Sequence, residues 1–408
     1  MRPGKLLSAA LAILALAGTA PHHPLRSTGS FKLTVPSGPF ISGSRLQIDA
    51  LGVEGPLALA LIGPGTLEGH QFIAPIVGEN TTTTLVAATH GAVAYSTVRV
   101  VPPPGEHRPL LAVAAYETGV ALHDPKTFAL LGYAPIGGPP GDAAFSPSGE
   151  LYAPDTDGDS LAQIARAPWG IRFVRGVPVG NEVAVDPHSG NVFVTNRDVN
   201  GRGALTRITP DGRVSRVVTG DTAEGLAIDG TRGMVYVGNV NDNSVAQVDA
   251  RTMRVVRKIR SVERTFGIAL DAKTQRLYVV SNTSPSMPGG GGFIAAIDLR
   301  RNNAPIIMKN RAMKFPLGVA LDAKYGRLFV TDESTSEVYV LSARTLRTLR
   351  APLQTCNTPW RPRVAAGRLY VPCARGNSID VFDLRTLRRA SGAPFATGGF
   401  PLSVALWP

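Results

Sequence analysis

The chain runs to 408 residues, longer than one ordinary domain, and only 18% of them are charged, while Gly and Pro number 44 and 33. That composition, with no long helical apolar periodicity, excludes a helical bundle or coiled coil and points to an all-β chain rich in turns. The formal charge of +12 admits an anionic partner, and two cysteines admit one bridge rather than a disulfide scaffold.

Residues 1–20 are expected to form a signal peptide. Arg2 and Lys5 supply the basic end, Leu6 to Leu16 the apolar stretch, and Ala15-Leu16-Ala17 the small-residue cleavage motif. An uncleaved N-terminal anchor is the lesser alternative. Nothing later approaches eighteen consecutive apolar residues, so no transmembrane segment is expected in the mature chain. The protein is therefore expected to be exported, either periplasmic or extracellular at the cell surface.

Residues 28–102 alternate short apolar stretches with Gly and Pro turns, the pattern of a small β-sandwich. Expected strands are Phe31–Val35, Arg45–Leu51, Pro56–Ile62, His70–Ala74, Thr82–Ala88 and Val93–Val101, the last two forming a hairpin with period-2 alternation. Gly63-Pro64-Gly65 followed by Gln71-Phe72-Ile73-Ala74-Pro75 resembles bacterial immunoglobulin-like domains, which implies a spacer or adhesive module. Arg26, Lys32, Arg45 and Arg99 balance Asp49, Glu54, Glu68 and Glu79, so the basic excess lies further on. Pro102-Pro103-Pro104-Gly105 then opens a stiff linker over residues 103–109.

From residue 110 to 408 one unit recurs. Its first strand carries a central Ala at 144, 184, 227, 269, 320, 365 and 405, at spacings of 40, 43, 42, 51, 45 and 40. Its second strand carries an aromatic: Tyr152, Phe193, Tyr236, Tyr278, Phe329 and Tyr370. A D-x-x-T-like turn follows the third strand at Asp124–Thr127, Asp249–Thr252 and Asp383–Thr386, with Ser342–Thr345 a variant. The 51-residue spacing is lengthened by the Ser284–Gly292 insertion. Such periods, with several strands per unit, predict propeller blades. Ser403–Leu406 is a first strand with no blade after it, and Leu110–Ala115 a second strand with none before it. Pairing them would close a ring of seven blades and remove both edges.

The strand ends Tyr152-Ala-Pro-Asp155, Phe193-Val-Thr-Asn196, Tyr236-Val-Gly-Asn239, Phe329-Val-Thr-Asp332 and Tyr370-Val-Pro-Cys373 resemble the YVTN-type β-propeller repeat family. The resemblance implies a seven-bladed β-propeller behind an immunoglobulin-like β-sandwich, as in exported bacterial and archaeal surface-layer proteins. It implies no single activity.

In a propeller the loop after the second strand shares a face with the lead-in to the first. Cys373 and Cys356 should meet there as a disulfide. The same face gathers Asp142, Glu182, Glu224 and Arg363 beside first strands, and Asn196, Asn239 and Asp332 at second-strand ends. Together they form a candidate ligand face around the channel mouth, although Asn and Asp at strand ends are individually expected to be turn formers. Asp155, Asp157 and Asp159 alternate as calcium ligands do, but Gly158 is misplaced for an EF-hand and position 166 is Arg, so a solvated acidic loop is preferred.

The seven histidines are scattered, and G-x-S-x-G, H-E-x-x-H and P-loop sequences are absent. No catalytic residue or cofactor is assigned. The basic excess falls on outer strands and hairpins, among them Arg251, Arg254, Arg257, Lys258 and Arg260; Arg344, Arg347 and Arg350; and Arg385, Arg388 and Arg389. Protection of sheet edges is the first reading for each. The expected protein is an exported, non-catalytic binding or scaffold propeller of the cell envelope, with a protein or envelope polymer at the channel mouth. Two alternatives stand: a metal-dependent lactonase-like hydrolase using a divalent ion at that mouth, and a basic rim holding nucleic acid or an acidic polymer.

Overall fold

The computed structural model describes residues 31–35, 38–52, 57–89, 92–260, 263–283 and 291–408. The expected leader at 1–20 and most of the Ser284–Gly292 insertion lie outside the described residues. All regular elements among them are strands, and no helix is long and apolar enough to cross a membrane. The chain divides into two compact units. Among the described residues the smaller takes in those up to Glu106 together with Leu131–Gly137, and the larger those of 107–130 and 138–408.

The smaller unit is built on the expected hairpin. Thr81–Thr89 and Ala92–Val101 pair antiparallel from Thr81↔Val100 to Thr89↔Ala92. Ala58–Ile62 pairs with the first of these strands and Pro39–Ile41 runs parallel to the second. Phe40, Leu46, Phe72, Leu85 and Val98 form the core. Tyr133 lies opposite Phe40 in a parallel bridge, with ring centroids 6.5 Å apart. Residues 131–137 thus join this unit, although the expected boundary at the linker had assigned them to the repeats.

The larger unit contains six four-stranded antiparallel sheets in chain order among the described residues. A further sheet joins the two ends of the repeat region. Pro401–Trp407 pairs antiparallel with Leu110–Ala115 from Leu110↔Trp407 to Ala115↔Pro401, and Gly119–His123 continues it. Successive first strands, such as Ala223–Asp229, Thr265–Asp271 and Pro316–Asp322, lie side by side. This is a β-propeller fold. The Ala-to-aromatic anchor is a real register: Ala144↔Tyr152, Ala184↔Phe193, Ala227↔Tyr236, Ala269↔Tyr278 and Ala320↔Phe329 are direct pairs. Each aromatic packs onto the following sheet. Tyr236 meets Leu277 and Phe293, and Tyr278 meets Leu328 and Leu341. Burying each such ring contributes about 2–3 kcal/mol.

The D-x-x-T turn has a specific chemistry. Asp249 Oδ1 accepts from Arg251 N (3.1 Å), Thr252 N (2.6 Å) and Thr252 Oγ1 (2.8 Å), and Met253 N donates to Asp249 O. Met253 then adopts φ 54° with its side chain buried, as do Phe128 and Leu346 at the equivalent positions. The bonds from Thr252 and Thr386 hold the Asp249 and Asp383 carboxyls below the usual range.

From the second sheet to the sixth, arginines staple each sheet to the next by donating to backbone carbonyls. Arg207 Nη1 reaches Ala250 O (2.9 Å) and Arg251 O (2.7 Å), Arg257 Nη1 reaches Arg301 O (2.9 Å), and Arg276 Nη1 reaches Arg344 O (3.0 Å). Arg327 bonds Leu384 O, and Arg368 Nη1 reaches Pro125 O (2.9 Å), carrying the series across the ring closure. Part of the basic excess is therefore structural.

Cys356 and Cys373 form the expected disulfide, with Cα atoms 5.6 Å apart and a separation of 17 residues. The double variant Cys356→Ala/Cys373→Ala should lose about 3 kcal/mol in urea unfolding. An unshifted midpoint would show that other contacts hold this loop.

Candidate functional site

The first strands present one inward slot, two residues before each anchor. In three consecutive sheets the slot is Gly225, Gly267 and Gly318. A Cβ there would meet Phe266 O, Leu317 O and Pro362 Cδ respectively, because the neighbouring first strand approaches so closely. Elsewhere the slot holds Asp142, Glu182 and Ser403. In the sixth sheet the pairing is offset, with Arg363 rather than Ala365 opposite Tyr370. The slot there falls to Arg361, which the sequence reading had not singled out.

Arg361 organises the site. Its Nε lies 2.9 Å from Glu182 Oε1, and its Nη2 donates to Asn181 Oδ1 (2.9 Å) and Glu224 Oε2 (3.3 Å). Its Nη1 donates to Gly141 O at 2.9 Å. One guanidinium thus ties the lead-in to the sixth sheet to those of the first three. Asn181 Nδ2 also donates to Glu224 Oε2 (2.5 Å), Arg197 Nε lies 2.6 Å from Glu224 Oε1, and Arg363 Nη2 lies 3.6 Å from Asp142 Oδ1. Leu226 N donates to Glu182 Oε2 (2.8 Å), and Val183 N to Asp142 Oδ2 (3.1 Å).

Glu182 and Arg361 are only 14% and 16% exposed, so the balance of charge matters. The Glu182 carboxyl is pushed up to about 7. Burial is the chief cause; Arg361 pulls the other way, Asp142 and Glu224 add to the rise, and Arg363 subtracts again. Burial also works against the Arg361 charge, but Glu182, Glu224 and Asp142 outweigh it and hold its pKa up.

Of the residues expected on the ligand face, Asp142, Glu182, Glu224 and Arg363 therefore come together. The other three do not join them. Asn196 Nδ2 donates to Pro178 O (2.7 Å) while its Oδ1 accepts from Thr206 Oγ1 (2.7 Å). Asn239 Oδ1 accepts from Thr219 Oγ1 (3.0 Å), and Asp332 Oδ2 accepts from Lys314 N (2.6 Å) and Phe315 N (3.2 Å). Pro178, Thr219 and Lys314 lie on the segments arriving from the preceding sheets. These strand-end residues pin the crossovers. In the acidic loop, Asp155 Oδ1 accepts from Asp157 N and Gly158 N (both 3.0 Å), Asp157 Oδ2 accepts from Tyr116 OH (3.4 Å), and Asp159 begins a strand exposed. Among the described residues no group of three or more His, Cys, Asp or Glu side chains is placed to hold a metal ion.

The space left at the mouth is about 20 Å³, bounded by Glu182, Arg197, Glu224, Phe266, Leu317 and Trp360. That is room for about one water, whereas small-molecule sites span roughly 300–1,000 Å³. Beside it lies an aromatic arc. The Phe400 ring centroid is 6.4 Å from those of both Tyr116 and Trp360, and Tyr116 is 40% exposed.

No protein-family model matches the chain. Two curated relatives, the uncharacterized proteins YncE of Salmonella typhi and Salmonella typhimurium, are each 27% identical over 193 residues. The match covers 44% of this chain, which spans about half the length of those relatives, 50% in each case. Among solved structures, a functionally unknown protein from Desulfotomaculum acetoxidans has a TM-score of 0.60 at 15% identity, covering 73% of this chain and 98% of that one. A Bacteroides fragilis protein named provisionally as a 6-phosphogluconolactonase has a TM-score of 0.60 at 11% identity, covering 75% and 100%. Kuenenia stuttgartiensis hydrazine synthase has a TM-score of 0.57 at 14% identity, covering 75% and 93%. At these identities the likeness shows the fold alone.

Proposed function

We propose that this is an exported, non-catalytic binding or scaffold propeller of the cell envelope, which takes a partner on its channel-mouth face. In this reading the ring has seven blades and the smaller unit is an immunoglobulin-like module that spaces it from its surroundings. The observation that carries the proposal is the filled mouth. Arg361 occupies the point on which the slot carboxylates converge, so the face offers a surface rather than a pocket. Half-exposed Tyr116, Phe400 and Trp360, with Arg197 lining the same mouth as Trp360, suit a protein or an envelope polymer. The disulfide fits an oxidising compartment.

The lactonase-like alternative needs a carboxylate and amide set open to a divalent ion. Here Asn196, Asn239 and Asp332 are committed to crossovers, and Glu182 and Glu224 to Arg361. A photo-crosslinking residue at Tyr116 should capture one discrete envelope component, and Phe400→Ala should abolish the capture. Lactone turnover stimulated by Ca²⁺, Mg²⁺, Mn²⁺ or Zn²⁺, or capture indifferent to Phe400, would overturn the proposal.

One observation favours polyanion binding as a second reading. Arg254, Arg260, Arg344, Arg350 and Arg388 are exposed and have no ion-pair partner among the described residues. Binding through them should weaken steeply with salt.

A further inference from the structure

We propose that the mouth cluster is a proton-operated latch, which holds the 355–362 segment closed on the acid side of neutrality and loosens it on the alkaline side. This rests on the mouth as the binding face only for its biological consequence. The latch itself is a property of the unliganded chain.

The geometry sets up the device. Arg361 lies on a short segment anchored at one end by the Cys356–Cys373 bridge and running directly into the Arg363–Ala365 strand. The segment reaches the first three sheets through the Arg361 guanidinium and its bonds to Gly141 O, Asn181, Glu182 and Glu224. The charged groups facing Glu182 are Asp142 from the lead-in to the first sheet, Glu224 from the third, and Arg361 and Arg363 from the sixth. Arg197, at the end of the second strand of the second sheet, faces Glu224. The neighbouring first strands contribute only Phe266, Gly267 and Leu317, which carry no charge. Three carboxylates thus share one buried guanidinium and two half-exposed ones, with room for about one water between them.

Glu182 is the member that must titrate. In the closed cluster its carboxyl ionises near 7, against 4.5 in water. A group that binds its proton more tightly in the closed form favours closure while it is protonated. Closure is therefore most stable below about 4.5, and the advantage is lost as pH rises through 7. Above that, an ionised Glu182 packed against Asp142 and Glu224 gains more from water than Arg361 returns. The route to water is the small cavity under Trp360 and Phe266, so opening lifts the segment carrying Trp360 and Arg361, and it also breaks the bonds from Trp360 N to Pro372 O (2.8 Å), from Thr331 Oγ1 to Trp360 O (2.6 Å) and from Ala374 N to Thr358 O (2.9 Å). The opening equilibrium therefore grows at least about twofold between pH 6 and pH 8.

The test is hydrogen exchange of the full chain read by mass spectrometry at pH 6, 7 and 8, corrected for intrinsic exchange rates. Peptides covering 355–362 should lose at least about twofold in protection between pH 6 and pH 8 in the wild type, while peptides covering the Ser244–Asp249 strand stay level. Glu182→Gln, which keeps the shape and cannot ionise, should keep the segment protected at every pH. Level protection in the wild type would overturn the latch, as would an undiminished pH effect in Glu182→Gln. With no partner present, failure here leaves the crosslinking result at Tyr116 untouched, and the reverse holds as well.

Discussion

Arg361→Met should destabilise the protein by about 3–5 kcal/mol at pH 7.5, more than any other single side chain at the mouth. The substitution keeps most of the volume and removes the cation. Glu182 and Glu224, at 14% and 7% exposure, would then be buried without their shared partner, and Asn181 Oδ1 and Gly141 O would lose their donor. Urea unfolding measures the loss. The exposed Arg375→Met serves as the control and should lie within about 0.5 kcal/mol of wild type. Adding Glu182→Gln to Arg361→Met should recover part of the loss, because it removes a carboxyl that would otherwise be buried charged or have to take up a proton. A loss for Arg361→Met below about 1 kcal/mol would mean that the ions are better hydrated than their burial indicates, and the filled-mouth argument would fall with it.

Removing Ser403–Pro408 should be more damaging still. The deleted residues include Val404, which is 1% exposed, and Trp407, whose ring lies 4.1 Å from the Arg166 guanidinium carbon. The deletion strips Leu110–Ala115, a strand whose six residues are all buried, of one of its two partner strands. Lost burial alone amounts to about 5 kcal/mol or more, which in a unit of this size should lower the melting temperature by at least about 10 °C. The exposed strand would be long, apolar and uncharged, the kind of edge that pairs with other chains. Light scattering should therefore rise as the melting temperature falls. An unchanged melt would show that the ring does not depend on pairing of its two ends.

Much of this architecture could be read from the repeats because each repeat fixes its own register. A small residue opposite an aromatic sets the first two strands, and an Asp with Thr three residues later sets the turn after the third. Both signals are local, and both appear as direct pairs or bonds in the structure. The site was less legible because it is assembled from different blades. Asp142, Glu182 and Glu224 could be placed by counting, but Arg361 could not, since the sixth unit had been aligned on Ala365. Its pairing places Arg363 opposite Tyr370, and shifting the anchor by two puts Arg361 in the same slot as Asp142 and Glu182. The signal was therefore present, in the two arginines flanking Pro362, but it depended on a register the sequence does not reveal. Asn196, Asn239 and Asp332 misled for a related reason. Each sits on the expected face, yet its polar atoms are taken by a segment arriving from the preceding sheet, a tertiary bond with no local signature.

The arginine staples have a consequence for how such a ring can change. Arg207, Arg257, Arg276, Arg327 and Arg368 each bond the backbone of a turn in the following sheet. A blade is therefore not a self-contained module. Its donor belongs with one neighbour and its acceptors with the other, so the heritable unit straddles two blades. Excising or duplicating a single repeat at its sequence boundaries would leave one guanidinium without its carbonyls and one turn without its cap. Copying from the middle of one blade to the middle of the next would preserve both.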